Sequence, residues 1–230
     1  MDGCFDGFHY GHVNALFQAK QKCDYLKVGT HTDIEMETYK KAPMVPYVER
    51  SRMLEHCRFV DEFVGEVPYV VRNDILDKFG CSKYLHADET IVTRDNTNVI
   101  CVDLDRYDTY ETTRGISSTQ LRERILQQET GLPISHNTDT EYLNRIYQSM
   151  REYMHATTPP KDPAPCIFVR ESFDMFDAKG VHRLLNLREN HPNDAIIAIV
   201  CDESERHVYS KLERAIVLCG VSLLDDVWIG

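Results

Sequence analysis

The chain has 230 residues, 42% of them hydrophobic, and a formal net charge of −11. That length supports one large core or two small ones, and the acidic balance excludes a general nucleic-acid or anionic-membrane binder. Eight cysteines stand singly, with no C-x-x-C pair, and read as reduced thiols of a cytoplasmic protein rather than a disulfide or zinc framework; no apolar run reaches the length of a membrane span and the first residues lack a secretory leader pattern.

The first stretch, Asp2-Gly3-Cys4-Phe5-Asp6-Gly7-Phe8-His9-Tyr10-Gly11-His12, is followed by Val13, Ala15, Leu16 and Ala19 at helical spacing. It therefore sits on a turn that opens a helix, where free N–H groups and the positive end of the macrodipole favour an anion. Gly3 and Gly11 permit close backbone approaches. Two readings stay open on spacing alone. One is a phosphate-binding catalytic turn using His9 and His12; the other is a helix start carrying two surface histidines.

Residues 25–30 read as a buried strand ending at Gly29, the end at which parallel strands carry ligand groups. Residues 32–46, polar and broken by Pro43 and Pro46 around Lys40-Lys41, read as a loop. Met53, Leu54, Cys57 and Val60 predict a helix over 48–60, and 63–67 a strand. Ile75, Leu76 and Phe79 mark a helix closed by Gly80; 84–86 form a strand with Asp88-Glu89 just beyond. This alternation implies a parallel sheet covered by helices. Residues 99–102 admit a strand, and 103–111 are strongly polar with no element assigned. Arg114-Gly115-Ile116-Ser117-Ser118-Thr119 precedes a helical run through Leu121, Ile125 and Leu126, so its hydroxyls either cap the helix or hold phosphate oxygens. Gly131-Leu132-Pro133 ends that helix, another carries Tyr142, Leu143, Ile146 and Met150, and residues 157–165 form a proline-rich linker.

After the linker the first half recurs in weakened form. Glu171-Ser172-Phe173-Asp174-Met175-Phe176 parallels residues 3–8, Glu213-Arg214 parallels Glu49-Arg50, and 225–230 parallel 61–65. Where the first copy has His9-Tyr10-Gly11-His12, the second has Asp177-Ala178-Lys179-Gly180, so it lacks both imidazoles and reads as a packing partner. His182 is out of register and expected at the surface. A strand at 166–169 precedes the second copy, whereas the first has no room for one before Asp2; its sheet is therefore expected to lack the central strand, or the chain to start short of it.

These residues resemble the ethanolamine-phosphate cytidylyltransferase family, nucleotidyltransferases with an H-x-G-H signature. The resemblance rests on residues 2–6 with His9-Tyr10-Gly11-His12, Val28-Gly29-Thr30-His31-Thr32-Asp33, Lys40 ahead of Glu49-Arg50, Arg58-Phe59-Val60-Asp61-Glu62, His86-Ala87-Asp88-Glu89 and Gly115-Ile116-Ser117-Ser118-Thr119. It covers nearly the whole chain. One departure is that Thr112-Thr113 stands where the family's second signature has Arg-Thr, leaving Arg114 at the variable position.

The resemblance implies tandem Rossmann-like α/β domains with parallel sheets: a catalytic domain at 1–130, a helix and linker at 131–164, and a degenerate, truncated copy at 165–230. It implies CMP transfer from CTP to phosphoethanolamine, giving CDP-ethanolamine and pyrophosphate. His9, His12 and Lys40 would act on the triphosphate; Gly3, Cys4, Phe5, Gly11, Arg114, Gly115, Ile116, Ser117 and Thr119 would bind the nucleotide. Asp6, Asp88 and Glu89 would meet the substrate ammonium, and Mg²⁺ would accompany CTP without a dedicated protein cage. The halves would pack as an internal pseudo-dimer, with a homodimer also open. Competing readings are a choline- or glycerol-phosphate cytidylyltransferase and a non-catalytic nucleotide-binding scaffold. A metal hydrolase is weaker, because H-E-x-x-H is absent.

Overall fold

Alternating short strands and amphipathic helices run through both halves of the computed structural model, which describes residues 1–88, 100–136, 139–158, 165–201 and 206–230. The first half comprises β1 (Asp2–Gly3), α1 (Tyr10–Lys20), β2 (Lys27–Thr30), α2 (Asp33–Tyr39), α3 (Tyr47–Glu55), β3 (Glu62–Glu66), β4 (Val71–Arg72), α4 (Asn73–Lys78), β5 (Tyr84–Ala87), β6 (Ile100–Cys101), β7 (Tyr107–Tyr110) and α5 (Ser118–Thr130). Then come α6 (Thr140–Thr157), β8 (Cys166–Glu171), α7 (Ala178–Asn190), β9 (Ala195–Val200), α8 (Lys211–Cys219) and β10 (Asp226–Ile229). The strand pairs β1–β2, β2–β3, β4–β6, β5–β7, β8–β9 and β9–β10 are all parallel, as the βα alternation requires.

Four expectations change. A strand does precede the first turn, as a two-residue stub at one end of the β1-β2-β3 sheet. Asp2 pairs with Gly29 and Gly3 with Thr30, while the Met1 ammonium donates to Lys27 O at 3.0 Å. Its counterpart β8 runs for six residues, and the order β3-β2-β1 is repeated as β10-β9-β8. Residues 32–46 are not all loop: Thr32 caps α2 by accepting from Glu35 N at 3.2 Å. The polar stretch 103–111 holds β7, an alternation of Tyr and Thr with Asp paired to β5. The helix expected over 48–60 stops at Glu55, and Cys57 instead bridges Val221. Linker residues 159–164 lie outside the described residues.

The two halves repeat one another in their buried polar anchors. Asp6 accepts from Met44 N and Val45 N at 2.8 and 3.0 Å, as Asp174 does from Val208 N and Tyr209 N at 2.9 and 3.0 Å. Arg50 donates to Cys4 O and His31 O at 2.7 and 2.9 Å, and Arg214 makes the same pair of bonds to Ser172 O and Cys201 O. Phe5 and Phe173 share positive φ values of 49° and 54°.

Between the copies the bonds are reciprocal: Arg58 N donates to Gly220 O at 2.8 Å, and Ser222 N to His56 O at 2.9 Å. Cys57 and Val221 occupy equivalent positions, so this antiparallel bridge lies on the axis relating the copies. One hydrophobic core joins Val13, Leu16 and Leu54 to Leu184, Ile216 and Leu218, with Leu143, Met150 and Met154 of α6 between. Among the described residues no helix is long and apolar enough to cross a membrane.

Candidate active site

His9 is the N-cap of α1 in extended conformation, and its amide donates to His12 Nδ1 at 3.3 Å. The two imidazoles stack with centroids 3.8 Å apart and planes 16° from parallel, and the Phe5 ring meets His12 edge-on at 5.4 Å. Only Gly fits between them: a Cβ on Gly11 would lie 2.8 Å from Ile116 Cγ2 and 3.0 Å from His9 Nδ1. His9 is 4% exposed, and neither ring nitrogen has a hydrogen-bond partner. Burial, reinforced by the Arg124 guanidinium, pushes its pKa down to about 3. Burial, then His9 and Lys40, holds His12 well below the usual histidine range. Both rings are therefore neutral at pH 7, each with one N–H to give. An unpaired buried polar group costs roughly 1–3 kcal/mol, a cost that a bound acceptor would relieve.

The second signature is brought against this turn. Gly115 takes a left-handed φ of 80°, and Ile116 is buried against Gly11. Ser117 caps α5 by accepting from Gln120 N at 3.2 Å, and Ser118 Oγ donates to Asp6 O at 3.0 Å. One face of α1 holds the segment ahead of it. Tyr10 Oη donates to Arg114 O at 3.2 Å and Asn14 Nδ2 to Thr113 Oγ1 at 2.9 Å; Gln18 exchanges bonds with the Glu111 backbone at 3.0 and 3.1 Å. The spacing i, i+4, i+8 aligns these three side chains along the helix. Two helix N-termini consequently converge, and both aim N–H groups and positive dipole ends at one place.

Lysines line the approach. Lys40 follows α2, and its charge acts on His12 and on the Cys4 thiol, which burial nevertheless pushes up in pKa and so keeps protonated. Lys41 Nζ donates to Thr119 Oγ1 at 2.9 Å. Gly3 O and Cys4 O accept from Thr30 Oγ1 and Arg50 Nη1 at 2.8 and 2.7 Å, which fixes the strand end that delivers the turn.

Of the residues singled out from sequence, His9 stacks on His12 and packs with Ile116 against Gly11, the Phe5 ring meets His12, the Lys40 charge acts on His12, and Ser117 and Thr119 follow Ile116 at the start of α5. Others are engaged elsewhere. Asp6 is 2% exposed, with both carboxylate oxygens on the Met44 and Val45 amides and Arg122 at 3.6 Å, so it cannot serve an ammonium. Asp88 Oδ1 accepts from Thr112 N and Oγ1 at 3.0 and 2.9 Å, and these bonds lower its pKa. Arg114 is 77% exposed, with its guanidinium 3.5 Å from the Glu111 carboxylate. Glu89 lies outside the described residues.

Three residues were not anticipated. Arg124, on α5, contacts Gly115 O at 3.3 Å. Lys41 was visible only as the neighbour of Lys40. Asp2 is 9% exposed; its Oδ1 accepts from the Tyr84 hydroxyl and its Oδ2 has no partner. Burial, with Cys4 and Asp2 nearby, raises the Tyr69 phenol to about 12, and Tyr69 stacks on Tyr39 at 5.1 Å and lies 4.8 Å from His31. Asp2 was hidden in the opening motif, where only hydrogen-bond partners distinguish it from Asp6. No group of three His, Cys, Asp or Glu side chains among the described residues is placed to hold a metal ion.

Comparison with known proteins agrees with this geometry. Residues 1–124 match the cytidylyltransferase-like family model. The chain is 28% identical over 239 residues to a probable ethanolamine-phosphate cytidylyltransferase of Encephalitozoon cuniculi, covering 98% of this chain and 73% of that protein. It is 35% identical over 166 residues to the ethanolamine-phosphate cytidylyltransferase of Mus musculus, covering 71% of this chain and 39% of the mouse protein. Likeness to choline-phosphate cytidylyltransferase 2 of Arabidopsis thaliana, at 39% identity, covers 34% of this chain. The chain belongs to the cytidylyltransferase-like family.

Proposed function

We propose that this chain transfers CMP from CTP to phosphoethanolamine, releasing pyrophosphate. The observation that carries the reading is the stacked, buried and neutral His9–His12 pair, with unpartnered His9 nitrogens, where two helix N-termini meet. A phosphate oxygen of phosphoethanolamine attacks the α-phosphorus of CTP, and the α–β bridging bond breaks toward pyrophosphate. Such a transfer needs alignment and charge neutralisation more than covalent help from the protein. His9 and His12 donate to oxygens gaining charge, and Lys40 adds a cation from its flexible stem. The α5 N-terminus at Ser117–Thr119 takes the terminal phosphates. Mg²⁺ would be carried by phosphate oxygens and water, since the Asp6 carboxylate is occupied by backbone amides.

For the primary ammonium the structure favours Asp2 over Asp6 and Asp88, because Asp2 keeps one buried oxygen unmatched beside Tyr69 and Tyr84. The reciprocal His56–Ser222 and Arg58–Gly220 bonds support reading the halves as an internal pseudo-dimer. The stacked Tyr39 and Tyr69 would also meet a trimethylammonium group. The test is therefore pyrophosphate release from CTP with phosphoethanolamine and with phosphocholine in competition. Turnover preferring phosphoethanolamine is expected; none with either head group would overturn the reading.

A further inference from the structure

Most buried polar anchors of the first half have a twin in the second, but Arg124, like Arg58, reaches across to the other half and has none. Arg124 Nη1 donates to Glu213 Oε1 and Oε2 at 3.1 and 3.2 Å and Nη2 donates to Gly115 O at 3.3 Å, with side chains only 5% and 0% exposed. Glu213 Oε2 also accepts from Ser210 N at 2.8 Å and so closes the capping box of α8. Glu49, at the equivalent position of the first half, is exposed. The pair is thus one of the asymmetric contacts between the halves. Its free end lies on the one left-handed residue immediately before the α5 N-terminus.

We propose that Arg124 is a positioning residue whose guanidinium, clamped by Glu213 of the second half, sets the Gly115–Thr119 turn against the nucleotide triphosphate. The half that lacks the stacked histidine pair then tunes CTP binding at the site of the other half. The cause is geometric. A planar fork satisfies a carboxylate and a carbonyl together only in one orientation, so fixing Glu213 fixes Gly115. The same charge helps keep His9 deprotonated. This inference rests on the nucleotide-binding part of the function proposed above.

The experiment measures CTP affinity with Mg²⁺ by calorimetry, at temperatures where circular dichroism shows each variant fully folded. Glu213→Gln is expected to weaken CTP binding about tenfold, the scale of one charge-assisted bond. The paired change Arg124→Met with Glu213→Met replaces the ion pair by apolar packing, which keeps a buried site stable, yet leaves Gly115 O without its donor; it is expected to weaken CTP binding equally. In both variants KM for phosphoethanolamine should stay within about twofold, because that end of the site is untouched. Should the paired variant fail to fold, Arg124→Lys, which keeps the charge but not the fork, carries the same expectation. Parental CTP affinity in these folded variants would overturn the proposal. If the parent binds CTP without turning it over, the transferase reading falls while the affinity comparison still decides this one. If the parent does not bind CTP, both fall.

Discussion

The turn at Gly3–His12 and the turn at Glu171–Gly180 share backbone anchors and differ in chemistry. Both place a Phe at positive φ, both fold an Asp back onto two amides across the chain, and both hang from a buried arginine. In the first, the helix start is a histidine stacked on a second histidine; in the second it is Asp177, whose own carboxylate accepts from Lys179 N and Gly180 N at 3.0 Å. One turn leaves its buried nitrogens unmatched, and the other satisfies its N–H groups from within. The contrast separates what builds the turn from what could react there. Retained Asp and Arg residues are scaffold, and the imidazoles are the part that serves a ligand.

The largest expected effect tests that separation directly. His9→Ala or His12→Ala should lower turnover about 10²–10⁴-fold, the range for a positioned proton donor or acceptor, with circular dichroism unchanged. Asp177→Ala in the second half should leave turnover at the parental level. Second, the scaffold should behave alike in both halves. Arg50→Met and Arg214→Met each strand buried carbonyl acceptors, and each is expected to cost about 1–3 kcal/mol in denaturant titrations; a large difference between them would break the equivalence. Third, Gly11→Ala forces a methyl toward Ile116 and His9 and should cost about 1–3 kcal/mol by overpacking, with reduced turnover, whereas Lys179→Ala at the matching position should be silent in both assays.

The smallest effect concerns pH. The folded pKa of His9, about 3, lies below its unfolded value near 6.5. Between those values the unfolded chain binds more protons, so this contribution to stability is complete above pH 6.5 and is lost as pH falls toward 3, by up to about 1.4 kcal/mol per unit. Stability measured at pH 7 and pH 5.5 should show this slope in the parent, and His9→Ala should flatten it.

Much of the architecture was legible because apolar periodicity and turn residues carry it. Val13, Leu16 and Ala19 gave α1, and Gly131 closed α5 with φ of 72°. The family match likewise rests on residues adjacent in the chain. Elements held by pairing rather than burial were not legible: β7 is four residues of Tyr, Asp and Thr whose partner is β5, and β1 is too short to show a pattern. The site residues divide the same way. His9 and Gly11 could be named from spacing. Asp6, Asp88 and Arg114 could not be sorted from Asp2 and Arg124, since a carboxylate facing an amide and one facing a cavity read identically as letters. Only the hydrogen-bond partners distinguish them.

The seam where His56 meets Ser222 and Arg58 meets Gly220 has a consequence for behaviour on dilution. Two separate subunits joined by such a seam would come apart as their concentration fell, and any contact that steadies the site would go with it. Here the matching surfaces share one polypeptide, so closure is unimolecular and the effective concentration is set by the tether rather than by abundance. Specific activity should therefore stay constant across a wide range of enzyme concentration. One copy could lose its histidines while remaining permanently at the side of the other.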